Sequence, residues 1–465
     1  MNSSENILAD FKLFLDNLSK VENSKLVSFS FSTEILAQLL SINALTEISD
    51  DLFLFRTPNY GINVVGLNSA LIFKSDKSNK FSSTYPDYNF WKNNFINNWS
   101  EINKNIQLIF AYAKFNPNNS SKLWDEFDTI KIYIPEFILT FQNENITGFF
   151  NFIFDDIKKA ESLLLKLSDF LHKLFEMSSR PVQLLKRNLP TKTKSYDTDF
   201  SNWDTISLSA LSALKNREVN KLVLSRTLNL EFDCKIDWYH LLQDLGNRFP
   251  DCYLFFIKKN DSIFFGSSPE MFLKVSDKTA EVESVAGSAA RGEKSESDYE
   301  LEKILKTSEK NHQEHIFVSD FITNILIKYS NNVRVIEEKQ IRKLDNIQHL
   351  ITKISAELNS KNNLFELIDS LFPTPAVCGD PKEKAMDLIR QFELHDRGLY
   401  SGLVGLFDFN SNCELAVSIR SALVKDQKIT AFAGAGFVKD SDPKEEFKET
   451  NLKLDTILSL FADEK

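Results

Sequence analysis

The spacing of apolar and polar positions divides this chain into two stretches of different character. In the first, MNSSENILADFKLFLDNLSK reads as an amphipathic helix, and helical patches then alternate with strand-like runs. The runs are Lys25–Ser32, Asp51–Phe55, Ile62–Phe73, Ile106–Phe115 and Thr129–Ile138. Apolar residues at helical spacing predict a long helix over Phe154–Met177. Ser178–Ser201 is polar and holds two prolines, the make-up of a surface linker.

From residue 202 the pattern changes. A helix over Trp203–Asn216 leads to a strand over Lys221–Phe232, and a helix over Ile236–Arg248 to a strand pair, Cys252–Lys258 and Ser262–Phe265. A strand Thr279–Ser284 enters a glycine turn at Ala286–Gly292, and helices over Glu296–Thr307 and His312–Tyr329 follow. Strands Gly402–Asn410, Cys413–Leu423 and Lys428–Ala433 precede a last helix from Pro443. No fixed-period repeat is visible. Strands and helices in this mixed order predict an α+β fold with large, mainly antiparallel sheets.

Composition narrows the picture. A chain of 465 residues is long enough for two or three ordinary domains or one large two-sheet unit. The 40 Phe read as core filling rather than as a site. A net charge of −10 and a pI near 5.4 argue against a nucleic-acid surface, so an anionic ligand would need local Arg, Lys or a metal. Cys234, Cys252, Cys378 and Cys413 form no CxxC pair and fit reduced thiols in the cytosol. The N-terminus lacks the basic start and apolar run of a signal peptide. No run of about 18 apolar residues exists, so no membrane span and a cytoplasmic location are expected. Of the 13 glycines, nine lie after residue 260, which directs the search for chemistry to the second half.

In the last helix, Asp442 is a natural N-cap, Pro443 suits the first helical position, and Glu446, Glu449 and Lys453 share one face. Such a face is ordinarily solvated. Glu314, however, extends the apolar stripe Val318, Phe321, Ile322 and Ile325 of another helix, and a buried bare carboxylate demands a cation. Glu314 and Glu449 could supply the one or two carboxylates that Mg²⁺ takes, or could sit in buried salt bridges. Lys221, at the head of a strand, is ordinarily a surface residue; desolvated, it could act as a base. Glu270 follows a Pro turn, where a carboxylate usually faces a helix dipole; partly buried, it could stay protonated and act as a general acid. Arg420, mid-strand among small and apolar residues, favours a buried role with a carboxylate partner. FAGAGF reads as a strand entering a Gly-rich loop; there is no GxGxxG and no P-loop lysine motif.

Seven motifs in this order then carry a resemblance: EVESVAGSAARG, SEKNHQEH, PTPAVCGDPK, RGLYSGLVG, IRSA, FAGAGFVKDSDP and EEFKETNLK. Together they resemble the chorismate-utilising enzymes, which include anthranilate synthase component I, aminodeoxychorismate synthase, salicylate synthase and isochorismate synthase. The match covers about 202–463, so 1–201 is expected to be the loosely similar first part of the fold and 202–465 its chorismate-binding region. The resemblance implies one large α+β unit with two mainly antiparallel sheets packed orthogonally and helices outside. Lys221 stands where enzymes that use ammonia commonly carry Gln, and Ala376 stands where anthranilate and salicylate synthases typically carry Thr. Both positions imply isochorismate synthase.

The same resemblance implies the roles. Lys221 would activate water for attack at C2 of chorismate, and Glu270 would protonate the departing C4 hydroxyl. Glu314 and Glu449 would ligate Mg²⁺, with Glu446 helping through water. Tyr400 and Arg420 would grip the pyruvyl-ether carboxylate beside the Gly434 backbone. Gly287, Ser288 and Lys453 would line the ring-carboxylate end, with His349 beside the ring. Three positions depart from the family pattern: Phe372 for His, Asn311 for an acidic residue and Phe437 for Ile. The partners implied are chorismate and isochorismate, with no glutaminase subunit, nucleic acid or membrane, and a monomer or weak homodimer.

Overall fold

The computed structural model describes residues 4–18, 23–33, 35, 42–75, 80–99, 106–117, 121–142, 145–179, 192–197, 200–232, 236–359 and 363–461. Among these, the strands form a 13-stranded and a 9-stranded sheet. The larger sheet runs Lys192–Asp197, Lys221–Phe232, Lys428–Phe437, Ser421–Lys425, Ser262–Ser268, Tyr253–Lys259, Asp51–Arg56, then Asn63–Leu67, Phe137–Gln142, Asn145–Phe154, Lys25–Thr33 and Phe95–Asn97, with Gly379–Asp380 beside Lys221–Phe232. The smaller runs Ser330–Lys343, Ile347–Leu358, Thr279–Ala290, Met271–Ser276, Cys413–Val417, Leu403–Phe407, Ile109–Ala113, Ile130–Ile134 and Leu71–Ile72. The ladders around the cavity described below are antiparallel. Both sheets take strands from either side of residue 201.

Alternation along the strands builds two apolar layers. Phe53 and Phe55 point into a core shared with Ile109 and Phe110 of the other sheet, and the Phe53 and Phe110 rings meet at 5.5 Å. Leu52 and Leu254 face the opposite way, onto a layer closed by Phe11 and Leu15 of the helix Ser4–Leu18, and by Leu167 and Leu171 of Ala160–Ser179. Leu454 and Ile457 of the last helix, Pro443–Leu458, join that layer.

The two sheets are joined at a corner that decides where the chemistry goes. Ser262–Ser268 pairs with Ser421–Lys425 in the larger sheet, and its continuation Met271–Ser276 pairs with Cys413–Val417 in the smaller. The same two-stranded ribbon therefore bends from one sheet into the other, which is how strands make corners between packed sheets. At the bend, Val417 N donates to Glu270 O at 3.2 Å and Ser267 N donates to Arg420 O at 3.1 Å. Arg420 takes a left-handed backbone, φ 52°, to turn the chain.

Several expectations are corrected. The run Cys413–Leu423 is two strands in different sheets, so Arg420 is at a break and not mid-strand. Phe154 ends the strand Asn145–Phe154, and the helix begins at Ala160 because Asp156 caps a turn by accepting from Lys158 N. Within the expected linker, Lys192–Asp197 is a strand on Lys221–Phe232; residues 180–191 and 198–199 lie outside the described residues. The turn expected at Ala286–Gly292 is mostly strand, because Thr279–Ala290 continues through a bulge. FAGAGF is likewise all strand, within Lys428–Phe437. Cys252, Cys378 and Cys413 are free and buried, and Cys234 lies outside the described residues. No helix among the described residues is long and apolar enough to cross a membrane.

Candidate active site

A cavity with about 660 Å³ of empty space, part of it open to solvent, lies at the corner. Eleven of the thirteen residues singled out from the sequence line it: Glu270, Gly287, Ser288, Glu314, His349, Ala376, Tyr400, Arg420, Gly434, Glu449 and Lys453. Lys221 and Glu446 sit behind its wall, each held to a neighbour.

One end of the cavity is built by strands. Glu270 is 4% exposed, and burial first, then the nearby Glu283 charge, push its carboxyl up to about 8. It is therefore protonated at neutral pH, the state a general acid needs. Arg420, 4% exposed, donates from Nη1 to Thr456 Oγ1 at 3.2 Å and from Nη2 to His349 Nε2 at 3.1 Å. Because a guanidinium only donates, His349 Nε2 accepts and Nδ1 carries the proton, so the Nδ1–H donates to Ser288 Oγ at 2.9 Å. Burial, then Arg420 and Lys453, hold that imidazole far below its usual range, hence neutral. Arg420 makes no ion pair with any carboxylate among the described residues. Tyr400 stacks on Phe432 at 5.2 Å and its hydroxyl is raised to about 12 by burial, so it stays a donor.

The bulge in Thr279–Ala290 shapes the same wall. Val285 pairs with Ile351 and Ser288 with His349, so two residues oppose one at Ala286–Gly287. Gly287 adopts φ 84°, which a side chain would resist, and a Cβ there would meet Asn311 Cβ at 3.1 Å. His315 holds the bulge: Nδ1 donates to Ala286 O at 3.2 Å, and Nε2 accepts from Thr352 Oγ1 at 2.7 Å. Burial drops its pKa to about 4, so it too is neutral.

The other end is built by two helices, Glu309–Tyr329 and Pro443–Leu458, against the strands Lys221–Phe232 and Lys428–Phe437. Here each carboxylate faces a lysine. Glu314 Oε1 stands 3.0 Å from Lys221 Nζ, at ion-pair distance but without the angle of a hydrogen bond. Burial would raise Glu314, but Lys221 and then Lys310 outweigh it and the net shift is downward. Glu449 Oε1 pairs with Lys453 Nζ at 2.6 Å, and Lys453 also donates to Gly434 O at 2.8 Å. Glu446, 1% exposed, pairs with Lys310; burial, then Glu449, raise its pKa. Gly436 makes room for this pair: a Cβ there would fall 2.3 Å from Glu314 Oε1 and 3.1 Å from Lys221 Cε, so the two side chains would have to shift.

Lys221 is therefore fully buried rather than on the surface, and the last helix presents Glu446 inward rather than to solvent. Asp442 caps that helix as expected, accepting from Lys444 N and Glu445 N. No group of three or more His, Cys, Asp or Glu side chains stands together as a metal-holding cluster among the described residues. Of the departures, Asn311 abuts Gly287 and Phe437 packs on Trp203 at 5.7 Å. Phe372 packs edge-on to Phe272 at 6.1 Å.

Sequence reasoning missed Lys310, Glu283 and Arg342. Lys310 carried a signal, one turn before Glu314 on the same helix. Glu283 and Arg342 carried none, because their pairing spans 59 residues and two strands.

These features match a known family. The chain belongs to the chorismate-binding enzymes, whose family model matches residues 13–462. It is 28% identical over 461 residues to isochorismate synthase MenF of Bacillus subtilis, covering 97% of this chain and 96% of that one. It is 35% identical over 246 residues to isochorismate synthase EntC of Escherichia coli, covering 53% of this chain and 63% of that one. Among solved structures, MenF, the menaquinone-specific isochorismate synthase from Escherichia coli, superposes with TM-score 0.79 at 20% identity, covering 99% and 100% of the chains. Anthranilate synthase component I from Streptococcus pneumoniae superposes with TM-score 0.66 at 18% identity, covering 94% of this chain and 92% of that one. The two structural likenesses bear on the fold.

Proposed function

We propose that this chain is an isochorismate synthase, converting chorismate to isochorismate by adding water at C2 and releasing the C4 hydroxyl. The observation that carries this reading is Arg420, a buried guanidinium with only neutral partners, opening onto a cavity that also holds a protonated Glu270. A buried cation without a counter-ion is costly, and a carboxylate is its natural bidentate partner. Arg420 and the Tyr400 hydroxyl receive the carboxylate of the pyruvyl ether, beside the Gly434 backbone.

Glu270 gives its proton to the oxygen of the departing hydroxyl, which leaves as water. Lys221, in its unprotonated form, takes a proton from the attacking water, and Glu314 at 3.0 Å holds the ammonium that results. Each turnover thus leaves Glu270 one proton short and Lys221 one proton richer, and solvent carries that proton back from base to acid. His349, neutral and fixed in one tautomer, leaves the Ser288 hydroxyl free to donate toward the ring end, where Gly287 and Lys453 also lie.

The acidic end fits Mg²⁺. Glu314 and Glu449 offer hard carboxylate oxygens, and the Glu449 repulsion that adds to burial in raising Glu446 is what a dication would relieve. Glu314 and Glu449 would hold the ion, with Glu446 acting through water. Bound there, Mg²⁺ supplies the positive charge that neutralises the ring carboxylate. Ala376 leaves room beside the pyruvyl side chain, so isochorismate departs intact. No ammonia-delivering subunit takes part.

The test is incubation with chorismate and Mg²⁺, with and without ammonium, and chromatography of the products. Isochorismate in both cases is expected. Anthranilate in the presence of ammonium, or no product at all, overturns the reading.

A further inference from the structure

Two charged residues outside the cavity grip the backbone on both sides of Glu270. Arg342 Nη1 donates to Pro269 O at 2.6 Å and to Glu283 Oε2 at 2.9 Å, and Nη2 donates to Glu283 Oε1 at 2.7 Å. Met271 N donates to Glu283 Oε2 at 3.4 Å, a long bond. The residues before and after Glu270 are thus each tied to one member of a single forked ion pair. Arg342 stands opposite His349 on the strand Ile347–Leu358, and Glu283 opposite Lys353 on its other side, so the pair reaches across that strand. Glu283 is 7% exposed, and a carboxylate that deep is held by this one guanidinium.

Building on the isochorismate synthase reading, we propose that Glu283 and Arg342 are a positioning pair: they aim the Glu270 carboxyl at the leaving hydroxyl and, through the balance of their charges, set the pH at which it releases its proton. The charges facing Glu270 come from five elements. They are Glu283 on Thr279–Ala290, Lys221 on Lys221–Phe232, Lys453 on Pro443–Leu458 and Arg342 on Ser330–Lys343. Arg420 at the corner is the fifth. Glu283 is the single negative charge among them. Removing it takes away the largest repulsion on Glu270, leaving Lys221, Lys453 and Arg342 to outweigh the more distant Glu314 and Glu449 of the same cavity, and favours ionisation. Removing Arg342 leaves Glu283 uncompensated and favours the proton. A like or opposite charge this close shifts a carboxyl by about one pH unit or more.

The experiment titrates the protonated carboxyl of Glu270 by infrared difference spectroscopy, subtracting Glu270→Gln, alongside the pH dependence of kcat. Glu283→Gln is expected to lower the midpoint by about one unit and Arg342→Gln to raise it by a similar amount. The kcat limb that belongs to Glu270 should move with the midpoint in each case. The double variant should return toward the wild type. Arg342→Lys keeps the charge but loses the fork, so its midpoint should stay while kcat falls at unchanged KM. Midpoints that stay put in Glu283→Gln, or that move the same way in both single variants, overturn the inference. If Arg342→Gln does not fold, Glu283→Gln and Arg342→Lys decide alone. The infrared midpoint needs no turnover, so a wild type that makes no isochorismate would defeat the functional reading separately.

Discussion

The two ends of the cavity handle charge in opposite ways. At the helix end Glu314, Glu446 and Glu449 each face a lysine, so their charges are largely compensated within the protein. At the strand end Arg420 has no ion-pair partner among the described residues, and Glu270 escapes the problem by staying protonated. The difference follows from how each end is built. Helices carry side chains one turn apart, so Lys453 can face Glu449 on one helix and Lys310 can face Glu446 on the next, while Lys221 reaches Glu314 from the strand beneath. The strand end is a bend in one two-stranded ribbon, where Arg420 finds only Thr456 and His349 as side-chain partners. On the proposed function, the compensated end would hold the metal and the uncompensated end would receive the substrate's carboxylate.

The largest effects should come from removing the proton-transfer groups. Lys221→Ala and Glu270→Gln should each lower kcat by about 10²–10⁴-fold. Stopped-assay product yields check this, and near-normal turnover in either variant would remove that residue from the chemistry.

Glu270→Gln should also separate the two ends by stability. The folded-state pKa of Glu270 is raised to about 8, so the wild type loses stability as pH climbs from the ordinary carboxylate range toward that value. A neutral isostere escapes the loss, by up to roughly 3 kcal/mol at pH 7. Thermal midpoints of both proteins across this pH range should converge under acid and diverge toward pH 8. Parallel curves would mean that Glu270 ionises normally.

At the helix end the effects should be smaller and tied to metal. Glu314→Gln and Glu449→Gln should each raise the Mg²⁺ concentration for half-maximal activity by about 10–100-fold, the range seen when metal-site contacts are lost. An unchanged half-saturation in both variants would take the metal away from this end.

How much of this the sequence carried depends on how local each signal is. The last helix was readable in its start and its shared charged face, because cap, proline and carboxylates lie close together, but not in the burial of Glu446 on that face. Lys221 was readable as the first residue of its strand, but not as buried, since burial comes from Gly436 and Glu314 far along the chain. Arg420 was seen as important and misplaced. AVSIRSA looks like one strand, and a left-handed turn at Arg420 leaves no mark in the pattern. The edge strand Ser330–Lys343 was missed because three register shifts break its alternation and charges fill its exposed face. Lys192–Asp197 was missed because a polar edge strand resembles a linker.

The smallest expected effect is on the fate of the product. Ala376→Thr adds atoms beside the pyruvyl group, so it should raise the ratio of pyruvate to isochorismate and, through overpacking, cost about 1–3 kcal/mol of stability. A lactate dehydrogenase coupling reads the pyruvate. An unchanged ratio would remove the role given to Ala376, while stoichiometric pyruvate from the wild type would make the chain a salicylate synthase.

The central claim is that the uncompensated Arg420 is where the substrate's own anion belongs. It is tested most directly by calorimetric titration of chorismate into Glu270→Gln and into the double variant Glu270→Gln, Arg420→Gln, both slow enough to measure binding without turnover. Loss of one partner of a buried charge pair costs about 2–5 kcal/mol, so affinity should fall by about 30-fold or more, with Mg²⁺ and without it. Equal affinities would contradict the account.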